Sequence, residues 1–432
     1  MRIWLINPYG PLPSEAWRTY CFPLIADVLA AEGHEVTWWT SNFAHHFKKY
    51  RSDGWADIEV SMGFRIRLVP TTGYHRNIGV GRVLRDLVFA LRTYRRGRSE
   101  PRPDLIIYSE SPLTFGYAGQ RLADYHGCPA IYHQMDLWPE LMVESAPSWL
   151  RSIVKATLWP VYAIRKHTYS RLSAATALAK PYLEAVFDVV PVMRDKPCAV
   201  IYNGIDVEEF RAKMQVSDVP ASLFPKKKVG DVWAVFAGSL GPSYDIGVMC
   251  DVARNLAAMG SNIYIVIAGD GPLRSLVQLT ERGESGPANF IYAGQLSPVE
   301  LAALYKLCDI GLCAYSSSSN VEMPDKIYDY TAAGLPVLVS LRGEVAQIVA
   351  TERIGFSYEA GSAADLLNKL VEISSDSQAM HLMSKASSRI GMQFDKKVQY
   401  RKFVDVVNMV TGRVAARECD THEKLLSEVV NK

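Results

Sequence analysis

A chain of 432 residues, 49% of them hydrophobic and with a formal charge of only +2, can bury more than one core and lacks the basic excess of a general nucleic-acid binder. Its seven cysteines include no C-x-x-C pair, which argues against a disulfide framework or a zinc ribbon and fits a reducing, cytoplasmic setting. No run of about twenty apolar residues occurs, so no segment is expected to span a membrane, and the apolar N-terminal run, interrupted by Pro8, is too short for a signal peptide.

Short β-branched runs alternate with helical patterns, the signature of parallel sheets with crossover helices. A first series predicts strands at 3–7, 36–40, 66–69, 105–109, 130–134 and 175–179, with a helix over 22–32 and a Gly33-His34 turn after it. Residues 76–102 carry eight arginines, with Val83, Leu87, Val88 and Leu91 at helical spacing. Residues 148–171 set Arg151, Lys155, Arg165, Lys166 and Arg171 among Trp149, Leu150, Ile153, Leu158 and Trp159, with no acid. Basic amphipathic helices of this kind lie on anionic lipid, so contact with an anionic membrane surface is expected; a packed helix would instead turn its stripe to the core. Residues 188–197, with two prolines, read as a domain junction. A second series begins near Val200 and continues at 233–237, 263–268, 290–293, 310–314 and 337–340. The order predicts an α/β protein of two doubly wound domains.

Ligands of open parallel sheets sit beyond the carboxyl ends of the strands. Three strands of the second series run there into Gly238-Ser239-Leu240-Gly241, Gly269-Asp270-Gly271-Pro272 and Gly294-Gln295. Glycines let backbone approach a ligand closely, and three such turns in register favour a nucleoside diphosphate. The segment 320–334 adds an anion site. Pro324 suits a first helical turn, Asp325 complements the positive helix end, and Lys326 places a full charge beside the N–H donors. Glu322 and Asp329, seven apart, would share a face if Glu322 lies near the first turn. No P-loop occurs, nor a G-x-G-x-x-G after the first strand, so ATP hydrolysis and dinucleotide chemistry are disfavoured. No Asp-x-Asp occurs, and metal-independent chemistry without a cofactor is expected. In the first domain His133 and Asp136 follow a strand and are candidates to face a sugar. Trp138 could stack on a sugar, and Tyr9, Trp17, Arg18, His45 and His46 could line an acceptor entrance.

The strings Tyr202-Asn203-Gly204-Ile205-Asp206, Phe236-Ala237-Gly238-Ser239-Leu240, Ala268-Gly269-Asp270-Gly271-Pro272, Ala293-Gly294-Gln295-Leu296-Ser297, Asp309-Ile310-Gly311-Leu312 and the segment 324–334 resemble, in order and spacing, the retaining GT-B glycosyltransferases of family GT4. Gly33-His34-Glu35-Val36-Thr37 matches more loosely, and Asp136-Leu137-Trp138-Pro139-Glu140 resembles the branch that builds bacterial O-antigen, capsule or exopolysaccharide. The resemblance implies a GT-B fold, two Rossmann-like domains facing across a cleft: 1–197 on the acceptor side, 198–390 for the nucleotide sugar, and 391–432 crossing back onto the first domain. It implies donor contacts at Gly10, Asn203, Gly238, Ser239, Gly271, Gly294, Gln295, Leu296, Glu322, Lys326 and Asp329, acceptor contacts at Tyr9, Trp17, Arg18 and Trp138, and catalytic roles for Glu322, Lys326, Asp136 and His133.

The implied activity is transfer of a sugar, with retention, from a UDP- or GDP-linked donor to a lipid-linked or polysaccharide acceptor at the inner face of the plasma membrane. The departing phosphate itself would take the acceptor's proton. This chain departs from the family pattern in three places. Asp329 replaces the usual glutamate, Glu322 lies seven rather than eight positions before it, and Ser239 and Tyr244-Asp245 stand where relatives carry Arg and Lys. Diphosphate neutralisation would then rest on Lys326, the helix end and Arg18. A nucleotide-sugar 2-epimerase and a non-catalytic binding protein of the same fold are the alternatives; the first would need a dense acid–base cluster that the sequence does not display.

Overall fold

Ile3, Trp4, Leu5 and Ile6 are all buried, a pattern tolerated only by a strand with helices over both faces. Ile3 and Leu5 face one apolar cluster, Trp4 and Ile6 the other. The computed structural model describes residues 1–15, 21–75, 79–110, 113–144, 146–216, 224–283 and 288–412. The chain divides into two units, 1–178 with 182–201 and 400–432, and 179–181 with 202–399.

Among the described residues the first unit holds an eight-stranded sheet in the order Cys198–Val200, Ala174–Ala177, Ala130–Gln134, Leu105–Glu110, Arg2–Ile6, Glu35–Ser41, Phe64–Val69 and Ala56–Ser61. All neighbours are parallel except the last pair, an antiparallel hairpin. Ala56–Ser61 was not foreseen; it is an edge strand carrying Asp57 and Glu59 and mostly exposed, so no apolar alternation marks it. Cys198–Val200, expected to open the second series, instead pairs with Ala174–Ala177 and ends the first sheet. The predicted junction at 188–197 likewise lies inside the first unit, as a short 3-10 helix over Pro191–Asp195. Helix Lys396–Val410 brings Tyr400, Phe403, Val404 and Val407 into the first unit's core beside Ile3, Leu5 and Ile25. Cys21 N–H donates to Tyr400 Oη at 2.8 Å.

The second unit holds six parallel strands in the order Phe290–Gly294, Ile263–Ala268, Val232–Ala237, Ile310–Cys313, Val337–Val339 and Gly355–Ser357. Helix Pro298–Leu307 opens on a reciprocal capping box between Ser297 and Glu300. Both units are Rossmann-like α/β domains, the fold class expected from the sequence.

His133, a sequence candidate for catalysis, belongs to the core. It is 1% exposed, its Nδ1 lies 2.8 Å from Thr176 Oγ1, and Phe22 and Phe403 pack on its ring. It follows the alternation of its strand inward and lines neither cavity described below. Burial pushes its pKa down from 6.5 to about 3. Between these values the unfolded chain binds the proton and the folded one does not, so the stability His133 allows is fully present above pH 6.5 and is lost as pH falls toward 3. His133→Asn keeps a hydrogen-bonding group for Thr176 but cannot titrate. In denaturant titrations between pH 6 and pH 4 the wild-type folding equilibrium should fall relative to the variant's by about tenfold per pH unit; a constant ratio would show that the buried ring accepts the proton.

Candidate functional site

The strands Val232–Ala237, Ile263–Ala268 and Phe290–Gly294 lie side by side and end in the three glycine-bearing turns. Main-chain bonds stitch these turns together: Gly238 N–H donates to Ala268 O at 2.9 Å, Gly269 N–H to Gly294 O at 2.7 Å, and Leu240 N–H to Asp270 O at 3.0 Å. Gly269 has φ +143°, and a Cβ there would fall 1.8 Å from the Gly238 carbonyl oxygen, so only glycine fits. The turns wall a cavity of about 310 Å³, at the lower end of the range for small-molecule sites. Of the sequence candidates, Gly238, Ser239, Gln295 and Leu296 line it, whereas Gly294 does not and instead holds the lining Gly269 through its carbonyl. Gly271 does not line it; a Cβ there would fall 2.8 Å from the Leu240 backbone, so its role is packing. Asp270 does line it and was not singled out, although it sits between two of the flagged glycines.

Lys326 lies in the first turn of helix Asp325–Ala333 and is 8% exposed. Its Nζ is 4.4 Å from the centroid of the Tyr244 ring, 4.9 Å from that of Phe236 and 5.4 Å from that of Tyr315. It presses on the bare side of Gly238, where a Cβ would approach Nζ to 2.6 Å. Among the described residues no carboxylate forms an ion pair with Lys326. Aromatic faces attract the ammonium without neutralising it. Tyr244, noted in the sequence only as a departure from the family pattern, is one wall of this cage.

Two local readings change. Pro324 is the N-cap rather than a first-turn residue, and the helix opens at Asp325, whose Oδ1 accepts from Asn203 Nδ2 at 3.3 Å. Asn203 Oδ1 is enclosed and has no hydrogen-bond partner among the described residues. Glu322 lies before the helix and shares no helical face with Asp329. Its Oε2 instead accepts from Glu344 N–H at 3.1 Å, over the start of helix Glu344–Thr351, where Gly343 leaves room for it. Its Oε1 accepts no hydrogen bond among the described residues. Glu344 in turn accepts from Tyr202 Oη at 2.5 Å and Lys180 N–H at 2.6 Å. Asp329 is half-buried, three residues beyond Lys326 on the same helix.

The first unit has its own cavity of about 180 Å³ beyond strands Arg2–Ile6 and Ala130–Gln134, lined by Tyr9, Gly10, His45, His46, Arg82 and Asp136. Tyr9 Oη donates to Asp86 Oδ2 at 2.9 Å and accepts from Arg82 Nε at 2.8 Å, while the Arg85 guanidinium lies 4.2 Å from the Tyr9 ring centroid. Arg85 and Asp86 are both 0% exposed and form an ion pair at 3.2 Å. Burial, opposed by Arg85, pushes the Asp86 carboxyl up to about 6. Arg82 was missed; in sequence it is one arginine among eight on a basic segment. Trp138 does not line this cavity. It is half-buried, its carbonyl accepts from Arg165 Nη1 at 3.0 Å, and its indole N–H is enclosed without a partner among the described residues. Trp17 and Arg18 lie outside the described residues.

A family model described as Glycosyltransferase Family 4 matches residues 24–209, and one described as Glycosyl transferases group 1 matches residues 223–389. The chain is 24% identical over 200 residues to the chitobiosyldiphosphodolichol beta-mannosyltransferase of Candida glabrata, a match covering 43% of this chain and 44% of that protein. The chain thus spans less than half the length of the curated relatives it matches. Among solved structures, Anabaena Alr3699/HepE in complex with UDP and glucose superimposes with a TM-score of 0.62 at 14% identity, over 94% of this chain and 99% of that one. WaaG, a glycosyltransferase involved in lipopolysaccharide biosynthesis, does so with a TM-score of 0.58 at 15% identity, over 94% and 99%. At such identities these likenesses establish the fold, and the two family matches each cover the greater part of one unit. Together the two family matches and the fold support a GT4-type glycosyltransferase of the GT-B fold.

Proposed function

We propose that this protein transfers a sugar, with retention of configuration, from a nucleoside diphosphate donor, UDP- or GDP-linked, to a lipid-linked saccharide in the biosynthesis of a bacterial surface glycan such as O-antigen, capsule or exopolysaccharide. The observation that carries the reading is Lys326, an ammonium in an aromatic cage against Gly238 with no carboxylate partner among the described residues. Departure of a nucleoside diphosphate develops charge on phosphate oxygens, and a preorganised cation beside helix N–H groups stabilises that charge most in the transition state. The bond from the anomeric carbon to the phosphate oxygen breaks, the acceptor oxygen bonds to the same face of that carbon, and its proton passes to the departing phosphate. The open Oε1 of Glu322 and the enclosed Oδ1 of Asn203 are acceptors suited to hydroxyls of the donor. Asp136, in the first unit's cavity, is suited to hold the acceptor. The names of relatives support the classes of substrate: one solved neighbour holds UDP and glucose, another serves lipopolysaccharide biosynthesis, and the Candida relative's name contains a lipid diphosphate.

The surface of the first unit supports an anionic membrane as the place of work. Helix Val80–Gly97 turns Val80, Val83, Leu84, Leu87 and Leu91 outward, Val80 being 83% exposed, followed by Arg92, Arg95 and Arg96. Helix Leu113–His126 packs between it and helix Trp159–Tyr169, so the two basic segments flank one helix. The second segment exposes Trp149 at 76% and Trp159 at 69%, with Arg151, Lys155 and Lys166 around them. Aromatic and aliphatic side chains rimmed by cations match the interface of an anionic bilayer. Among the described residues no helix is long and apolar enough to cross a membrane.

With a lipid-diphosphate saccharide as acceptor, Lys326→Ala should lower kcat by about 100- to 1000-fold while the melting temperature stays close to wild type; undiminished turnover would remove the role assigned to it. Turnover in EDTA should match that in magnesium, and dependence on the metal would overturn the cation-and-helix mechanism. In low-salt flotation the protein should rise with phosphatidylglycerol liposomes, and a Leu87→Glu, Trp159→Glu double variant should stay at the bottom. Wild-type protein left entirely at the bottom would refute the membrane reading.

A further inference from the structure

The cavity of the second unit is not uniform along its length. Lys326 presses on Gly238 at one end, so negative charge belongs there. The turns that carry Asp270 and Gln295 follow the next two strands, roughly 5 and 10 Å further on at the usual spacing of strands. That is the reach from the diphosphate of an extended nucleotide to its base. The Asp270 carboxylate repels a diphosphate, and a ligand whose anion meets Lys326 therefore turns its neutral end toward Asp270. Leu296 and Leu301, both half-buried, supply apolar surface for a flat ring on that side.

Asp270 is paired, yet it keeps accepting capacity. Its Oδ1 accepts from the N–H of Gly271 at 2.9 Å, and its Oδ2 lies 3.6 Å from Arg274 Nη1. The two side chains of that pair are 44% and 53% exposed, and an ion pair so long and so open adds little to the fold. A carboxylate offers about four lone-pair positions, so these contacts leave room for two further donors.

The nucleobases differ in what they present to such a pair. Guanine carries two adjacent donors, N1–H and the 2-amino group, next to the O6 acceptor. Uracil offers one N–H flanked by two carbonyl oxygens, so one oxygen of a carboxylate would face another oxygen. Adenine puts a bare ring nitrogen where guanine has N1–H. We infer that Asp270 selects a guanosine diphosphate sugar as the donor, its carboxylate accepting from N1–H and the 2-amino group while Arg274 donates to O6. The inference rests on the transferase reading and narrows its donor. HepE, which holds UDP, shares only the fold at 14% identity.

The test is calorimetric titration of the full chain with GDP, inosine diphosphate, UDP and ADP. Inosine diphosphate differs from GDP only in lacking the 2-amino group. GDP should bind most tightly, and inosine diphosphate about tenfold more weakly, as loss of one hydrogen bond to a charged group predicts. Asp270→Asn keeps an oxygen for the Gly271 N–H but turns an amide N–H toward the base. In that variant GDP should weaken about tenfold and lose its advantage over inosine diphosphate. The ranking of the nucleotides on the unaltered chain decides the question should Asp270→Asn fail to fold. UDP or ADP binding more tightly than GDP, equal affinity for GDP and inosine diphosphate, or a preference unchanged in Asp270→Asn would each overturn the inference and leave the transferase reading in place. A chain that binds none of these nucleotides would sink the transferase reading, and this inference with it.

Discussion

The second unit is organised around one amine, Lys326, with which no carboxylate among the described residues forms an ion pair. Taking an ammonium out of water costs several kcal/mol, and ring faces return about 0.5–2 kcal/mol each. Phe236, Tyr244 and Tyr315 therefore offset much of that penalty and leave room for an anion to supply the rest. The amine reaches its place because residue 238 has no side chain, and residue 238 is held because Gly269 lets two turns interlock through their backbones. Cage, cavity wall and helix start are thus consequences of where three neighbouring strands stop.

Much of the architecture was legible because buried parallel strands are written as apolar runs. Ala130–Gln134 and Ile263–Ala268 lie where the sequence places them, and most other strands begin or end within two residues of expectation. What could not be read depended on partners distant in the chain. Cys198–Val200 has three residues, and nothing local says which sheet it joins. Glu322 was paired by helical spacing with Asp329, but its partner is a backbone N–H 22 positions away. His133 was read as a strand-end histidine, whereas Phe22 and Phe403 close over it from opposite ends of the sequence. The glycine turns and Lys326 were visible by residue type; the cage around the lysine was not, since its rings come from three separate segments.

Helix Val80–Gly97 defeats the usual inference from amphipathicity in the other direction. Its stripe is regular, yet Arg85 and Asp86 point inward with Phe89 while the leucines face out. The inversion is possible because the buried ions are paired to each other and to Tyr9, which removes most of the penalty of enclosing them. Charge in the interior and hydrocarbon on the exterior are two aspects of one arrangement, and the helix is oriented as much by its ion pair as by its apolar residues.

Helix Lys396–Val410 has a further implication for how the polypeptide matures. Tyr400, Phe403, Val404 and Val407 fill the layer beneath the earliest strands, and Tyr400 meets the backbone of Cys21 across a separation of 379 residues. The 379 positions between them must therefore be synthesised before this layer can be completed. Until then that apolar layer stays partly uncovered, and a nascent chain in this state is a natural client for chaperones.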